Sequence, residues 1–425
     1  LKPFVSKGNR IEIPEGLFRN NTKATSFMQT FRDMNIATVP ENLFANNTEV
    51  TSFNGLFTGC TELETVPADL FKNNQKVKDY KWLFYATDVK TLPVGLFKHC
   101  PSGFAIQINQ MFQNSIIEDF PEGFFEGLDG VTSLSSLFEN AVFMKPLKGG
   151  IFKGLKKANS LLQTFYGINV TELPEDLFDG LGTDATKVEM SKTFFGCNQL
   201  ASLQAGLFDP VATKLTTINA CFQKCTGIKS IPEGFGNSLT ALTNAGNAFY
   251  GCEALETLPS EMFKGAAAKL SNLSSMFWGC TSLKSVPDGL FGFITVRNAN
   301  FLNCFNACTS LKSVGADVFP STVSSTGLNS TFSGCTSLTD ISGKVFSKCG
   351  SVTTLMRTFY CCTALETLPS DLFAGMVKVT KFDQTFSGCT SLESIPEDLF
   401  SKNTVVNSFT KMFYECASIK SIPAG

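Results

Sequence analysis

The stretch Phe386-Ser-Gly-Cys-Thr-Ser-Leu-Glu-Ser-Ile-Pro-Glu-Asp-Leu-Phe400 decides the fold, because it recurs with small edits along the whole chain. Its first Phe returns at Phe31, Phe57, Phe84, Phe112, Phe138, Phe165, Phe194, Phe222, Phe249, Phe277, Phe305, Phe332, Phe359, Phe386 and Phe413, with gaps of 26 to 29 residues. A period in this range marks a solenoid, in which each repeat is one coil that buries its apolar face only against its neighbours. Residues 1–425 therefore read as a single α/β repeat solenoid of about sixteen coils, not as two or three globular domains.

One coil, Thr48 to Phe71, shows how the parts divide. Val50, Phe53, Leu56 and Phe57 have the spacing of a helical face, Thr48 offers an N-cap and Gly59 a C-terminal stop, which predicts a short helical or 3-10 segment. Leu63-Glu-Thr-Val66 is a brief β-compatible run with Glu64 and Thr65 facing out. Pro67 ends it and suits the first turn of a second helical segment, which the acidic Asp69 would favour, as would Glu397 and Asp398 in a later coil. Stacked coils thus give one parallel β-sheet with short helical segments on the other face. A second aromatic ladder, Phe18, Phe44, Phe71, Phe97, Phe125, Phe152, Phe178, Phe208, Phe235, Phe263, Phe291, Phe319, Phe346, Phe373 and Phe400, joins the first, so thirty of the 42 Phe are internal. Each buried Phe stabilises by roughly 1.5–3 kcal/mol, and stability is collective because only adjacent coils can bury it.

The cysteines follow the same register. Cys60, Cys197, Cys225, Cys252, Cys280, Cys308, Cys335, Cys362, Cys389 and Cys416 lie three residues after the repeat Phe. Every coil with ten residues from that Phe to the proline position has this Cys, and the five shorter coils, from Phe31, Phe84, Phe112, Phe138 and Phe165, lack it. A loop-specific position of this kind predicts reduced, inward thiols near backbone groups. Disulfides between successive coils are the alternative, since the coil spacing permits the Cα distance.

Regularity varies along the chain. Residues 1–30 form a degenerate first coil, residues 100–170 an irregular stretch with Phe124-Phe125 doubled, and residues 194–425 a nearly uniform run. The chain stops at Ile422-Pro423-Ala424-Gly425 in mid-coil, without the polar capping repeat a solenoid needs, which reads as a fragment of a longer protein.

The pattern V-x-S-F-x-x-M-F-x-G-C-T-S-L-x-S-I-P, seen in Met276-Phe277-Trp-Gly-Cys280-Thr-Ser-Leu283, resembles the BspA-like leucine-rich-repeat proteins of bacterial surfaces over essentially the whole chain. The Pro-x-x-Leu-Phe half and the coils of 100–170 depart from that pattern. The resemblance implies a right-handed leucine-rich-repeat superhelix. It also implies a secreted or surface-anchored protein, a lipoprotein among the possibilities, that acts in adhesion to host or matrix proteins without catalytic residues or cofactor.

The residues themselves carry no enzyme signature. His99 is the single His, no His/Cys/carboxylate set has metal spacing, and no glycine-rich loop cradles a phosphate. The Cys221/Cys225 and Cys304/Cys308 pairs and the vicinal Cys361-Cys362 each use a ladder Cys as second member, so packing accounts for them. A net charge of −2 argues against nucleic acid, and no apolar run is long enough to span a bilayer. No signal peptide opens the chain, although a leader or lipid anchor already removed would leave no trace.

Three surface columns are candidates for binding. The residue after the repeat Phe is Tyr85, Tyr166, Phe195, Tyr250, Trp278, Tyr360 or Tyr414 in seven coils, a half-exposed aromatic stripe that either roofs the Phe ladder or stacks on a glycan or peptide. The outward strand face carries Ser or Thr at Thr38, Thr65, Thr91, Ser202, Ser230, Thr257, Ser285, Ser313, Thr367, Ser394 and Ser421. Beside it runs a charged column of Glu64, Lys229, Glu256, Lys284, Lys312, Glu366, Glu393 and Lys420, suited to a wet protein interface. The segment Lys145-Pro-Leu-Lys148-Gly-Gly-Ile-Phe-Lys153-Gly-Leu-Lys156-Lys157 holds five Lys and no acid, a solvated loop or a patch for acidic partners. The function expected is a non-enzymatic, adhesin-like scaffold that binds a host or matrix protein at the cell surface or outside the cell. A glycan-binding surface protein and a passive spacer for another domain are the alternatives.

Overall fold

The computed structural model describes residues 10–101 and 103–423; the first nine residues of the degenerate opening coil and the terminal Ala424-Gly425 lie outside them. The coils pack as two compact units, Leu1–Cys197 and Asn198–Gly425.

The period of the sequence becomes a ladder of stacked rings. In the first unit the repeat Phe residues from Phe31 to Phe194 lie 5.3–6.0 Å apart, centroid to centroid, with planes within 14°. In the second, Phe222 to Phe413 are 5.4–5.8 Å apart and within 12°. The second ladder is less even. It stacks from Phe18 to Phe97, then meets Phe124 edge-on at 89°, so the doubled Phe124-Phe125 of the irregular stretch is a packing insertion, with both rings fully buried. Phe208, Phe235 and Phe263 also meet edge-on, whereas Phe319 to Phe400 stack. A third aromatic column, four residues before the repeat Phe, fills the remaining gap with Phe27, Phe53 and Tyr80 in one unit and Phe301, Phe382 and Phe409 in the other.

The helical segments predicted around Thr48–Gly59 and after Pro67 do not form. N–H groups along the first of these alternate between two destinations. Phe53, Gly55, Phe57 and Gly59 donate to carbonyls one coil on, at Asp79, Lys81, Leu83 and Tyr85 (2.8–3.1 Å). Leu56, Thr58 and Cys60 fold back three residues within their own coil. An α-helix would use every N–H inside the segment and leave nothing to join coil to coil. The result is a chain of tight turns, which satisfies the same three-residue apolar spacing as a helix. Pro67 likewise opens a turn, its carbonyl taking the Leu70 N–H at 3.2 Å. Two single-turn 3-10 helices occur among the described residues, Asp209–Val211 and Lys264–Ala266, both directly after a Phe of the second ladder.

The turns need a left-handed residue two before and two after the repeat Phe. Some coils supply glycine there, as at Gly55 and Gly59, but many use other residues, Ala307 among them at φ +59°. An L-residue pays about 1–2 kcal/mol for that conformation, against which glycine's greater freedom in the unfolded chain sets about 0.5–1 kcal/mol. Ala307→Gly is therefore expected to stabilise the second unit by about 0.5–1 kcal/mol, read as a rise in its urea midpoint; a fall would refute the turn assignment.

Strand pairing is parallel, as expected, but runs along two lines. The first is the Ser/Thr column, with Thr38, Thr65 and Thr91 bridged in turn. In the same register β5 (Ser285–Val286), β6 (Ser313–Val314) and β7 (Asp340–Ile341) form a three-stranded sheet, while β1 (Ile116–Ile117) pairs with β2 (Val142–Phe143) a few residues nearer the repeat Phe. The second line lies five residues before the repeat Phe and joins Ser26, Ser52, Asp79 and Gln107 in one unit and Thr217, Asn244, Asn272 and Asn300 in the other. The strands β3 (Val188–Glu189) and β4 (Leu215–Thr217) belong to this second line. The single sheet of the sequence reading is thus half of the pairing.

Candidate binding faces

What each column can do depends on which of its groups the fold has already used. The thiol column is fully used. No disulfide joins any of the fifteen cysteines. Cys60 and Cys197 donate through Sγ to the carbonyls of Phe31 and Phe165 one coil back, at 3.0 and 3.1 Å. Cys252, Cys280, Cys308, Cys335, Cys362, Cys389 and Cys416 do the same at 3.1–3.3 Å. In a shorter coil Ser115 takes over this role, its hydroxyl on the Phe84 carbonyl at 2.6 Å. Burial pushes the Cys60 and Cys308 thiols up to about 12, so neither is a nucleophile at neutral pH. Cys304 occupies the buried place just before the repeat Phe, which Met276 fills one coil earlier, so packing explains its four-residue spacing from Cys308. Among the described residues no group of three or more His, Cys, Asp and Glu could hold a metal. His99 lies 3.7 Å from Asp69, which Lys98 contacts at 3.0 Å.

The aromatic column is half-exposed, with Tyr414 the most open. Most of its ring faces have internal partners. Tyr166 and Phe195 stack at 4.8 Å and 4°. Arg357 lies over the Tyr360 ring at 5.6 Å, and Lys411 over Tyr414 at 5.4 Å. The Tyr85 hydroxyl accepts from Asn114 Nδ2 at 2.9 Å. Only Tyr250 and Trp278 meet obliquely, at 5.5 Å and 38°. The fold therefore breaks the column into separate pairs and single rings.

The charged column pairs along the coil stack. Glu64 holds Arg10 at 3.0 Å and Lys90 at 2.9 Å, contacts that keep its carboxyl below the usual range, with the Lys90 hydrogen bond the largest cause. Lys284 bonds Glu256 and lowers it in the same way, and Glu393 meets Lys420 at 2.9 Å. Lys229, Lys312 and Glu366 hold no ion pair among the described residues. In the lysine-rich segment four of the five contact three carboxylates of the preceding coil. Lys145 (3.4 Å) and Lys148 (2.6 Å) meet Asp119, Lys153 bonds Glu122, and Lys156 lies 3.7 Å from Asp129. Lys157 holds none.

Two sets of polar residues escaped the sequence reading. The side chain five before the repeat Phe caps the N–H two residues on, as Ser52 does for Asn54 (3.2 Å), Asp79 for Lys81 (3.1 Å), Asn244 for Gly246 (2.9 Å) and Asn300 for Leu302 (3.0 Å). That N–H has no coil-to-coil partner, which explains the run of Ser, Thr, Asn and Asp there. Buried Asn47, Asn74 and Asn403, three residues after the second-ladder Phe, each donate to two carbonyls of the coil before at 2.9–3.2 Å. They mirror the Cys position in the other half of the coil, and their equal offset from a Phe was the available signal.

Residues 188–301, 277–385 and 302–424 match the BspA type leucine rich repeat region, a unit of six copies. No curated protein matches the chain. Among solved structures, a leucine-rich repeat protein from Bacteroides ovatus is 18% identical, over 92% of this chain and 88% of that one, with a TM-score of 0.33. A leucine rich cell surface protein from Faecalibacterium prausnitzii is 16% identical, over 72% and 76%, at 0.28. The Drosophila Toll–Spatzle complex is 14% identical over 87% of this chain, which spans 46% of the matched chain, at 0.35. The family match covers more than half of the sequence in the register of the Phe and Cys ladders, and the chain belongs to the BspA-type leucine-rich repeat family.

Proposed function

We propose that the chain is a non-enzymatic binding scaffold of the cell surface that engages a protein partner, host or matrix, through its charged column. The observation that supports this is the consumption of the core. Both Phe ladders and the thiols are internal, so what each coil offers outside is a short set of polar side chains at a fixed pitch. Such a surface loses little freedom on binding. The repeat family consists typically of binding scaffolds, and one similar structure is named a cell surface protein. Lys229 and Lys312, which hold no ion pair within 4.0 Å among the described residues, are the members with most charge to offer, although Lys229 also acts on Glu256. Among the described residues no helix is long and apolar enough to cross a membrane, so attachment to a surface would come from another element.

The test is surface plasmon resonance against a panel of immobilised extracellular-matrix proteins. Binding of at least one is expected, weakened by salt and reduced roughly tenfold or more by combined Lys229→Glu and Lys312→Glu, with the melting temperature unchanged. Silence across the panel would favour a passive spacer.

A further inference from the structure

In four coils of the second unit, charge is nearly absent from one side. In the four coils of Phe222, Phe249, Phe277 and Phe305, take the segment from five residues before each Phe to two after it. These four segments contain a single charged side chain, Lys224. Lys229, Glu256, Lys284 and Lys312 of the same coils all lie beyond the Cys. The two middle segments carry the half-buried Tyr250 and Trp278, whose 38° tilt stops each ring from covering the other's face as Tyr166 and Phe195 do at 4°.

By coil order, one amide pair spans the coils of Phe222 and Phe249 and a second lies in the coil of Phe305. Asn247 Nδ2 donates to Asn219 Oδ1 at 3.5 Å, and Asn306 Nδ2 donates to Asn303 Oδ1 at 3.3 Å. Each internal bond restrains both amides and uses one end of each, so that Asn219 Nδ2, Asn247 Oδ1, Asn303 Nδ2 and Asn306 Oδ1 take no part in it. All four residues are half-buried. The coils repeat every 5.4–5.7 Å, measured between the Phe rings beneath.

Fixed amide donors and acceptors around a tilted aromatic pair, on an uncharged surface, suit a neutral polyol. Sugar hydroxyls both donate and accept, and the C–H face of a pyranose packs on an aromatic ring. A polyanion would find one lysine. A peptide strand would find no free edge, because Ile218, Ala245 and Leu273 already donate to the next coil at 2.8–2.9 Å.

We propose that these four coils bind a neutral oligosaccharide lying along the stack, with Tyr250 and Trp278 as its platform and Asn219, Asn247, Asn303 and Asn306 as its hydroxyl partners. The site is separate from the charged column, and its test does not depend on any protein partner.

The experiment is affinity electrophoresis of the full chain in native gels cast with mixed-linkage β-glucan, arabinoxylan, galactomannan or mannan, with polygalacturonate as the anionic comparison. Calorimetry at low and high salt follows for any polymer that retards the protein. Retardation by at least one neutral polymer is expected, insensitive to salt and weakened roughly tenfold or more by Trp278→Ala and by Tyr250→Ala. Asn306→Ala, which removes a half-buried amide that among the described residues bonds Asn303 alone, should weaken it with the melting temperature unchanged, and so carries the test if the ring variants unfold. Tyr360→Ala, whose ring face Arg357 already covers, should bind normally. The proposal fails if none of the four neutral polymers retards the chain, if Trp278→Ala and Asn306→Ala bind as well as the parent, or if only polygalacturonate binds and salt abolishes it.

Discussion

The second unit is expected to unfold between about pH 9 and about pH 11, driven by its buried thiols. Burial raises Cys308 and Cys349 to about 12 from an ordinary value of 9.0. Cys252, Cys280, Cys304, Cys335, Cys362 and Cys389 are raised too, again with burial as the first cause. The folded state therefore keeps a thiol proton at pH values where the unfolded chain has lost it. The stability each thiol contributes is fully present below about pH 9 and is lost as pH climbs toward the folded value. The loss is about 1.4 kcal/mol per thiol for each pH unit above the unfolded value. Eight such groups acting together remove on the order of 10 kcal/mol by about pH 10, as much as a typical domain has. Thermal melts by circular dichroism should be flat from about pH 7 to about pH 8.5 and fall steeply above it. Serine at Cys280, Cys308, Cys335 and Cys362 should move that alkaline edge upward, because a hydroxyl keeps the hydrogen bond, as Ser115 does, without titrating in this range. Equal melting temperatures at about pH 8 and about pH 10.5 would sink the idea.

Phe332→Ala should cost about 3–5 kcal/mol, the largest loss expected from one substitution in the ladder. Phe332 has no exposed surface and stacks 5.5 Å from both Phe305 and Phe359, with planes 4° and 8° apart, while Phe319 meets it edge-on at 6.1 Å. Removing the ring takes contacts from two coils on either side, and a stack has no other elements to close the hole. The urea midpoint of the second unit should fall accordingly, whereas the half-buried neighbour Ser333→Ala should stay within about 0.5 kcal/mol. A loss below about 1 kcal/mol for Phe332→Ala would mean that the coils repack around the gap.

Both results rest on ladders that were legible in the sequence, because a large apolar residue or a thiol returning every 26 to 29 residues has only the neighbouring coil to lie against. The third column of Phe27, Phe53 and Tyr80 was not legible, since Ile108, Leu134 and Ala245 take the same place and no single residue type runs through it. The helices failed for a different reason. A three-residue apolar spacing serves a turn and a helix equally, and the choice fell to the coil-to-coil hydrogen bonds of Phe53, Gly55 and Phe57. Lys145 to Lys157 looked purely basic because Asp119, Glu122 and Asp129, which pair with four of its lysines, stand one coil earlier in the chain.

In Phe386–Phe400, then, the sequence by itself determined what is inside, because burial depends on residue type and period, and both are written along the chain. Phe386, Cys389 and Leu392 are buried as that rule requires. Which backbone group bonds to which, which lysine meets which carboxylate, and whether an aromatic face is covered or open were decided only by the tertiary structure. Each of those depends on the distance between residues about 27 positions apart, and that distance exists only once the coils have stacked.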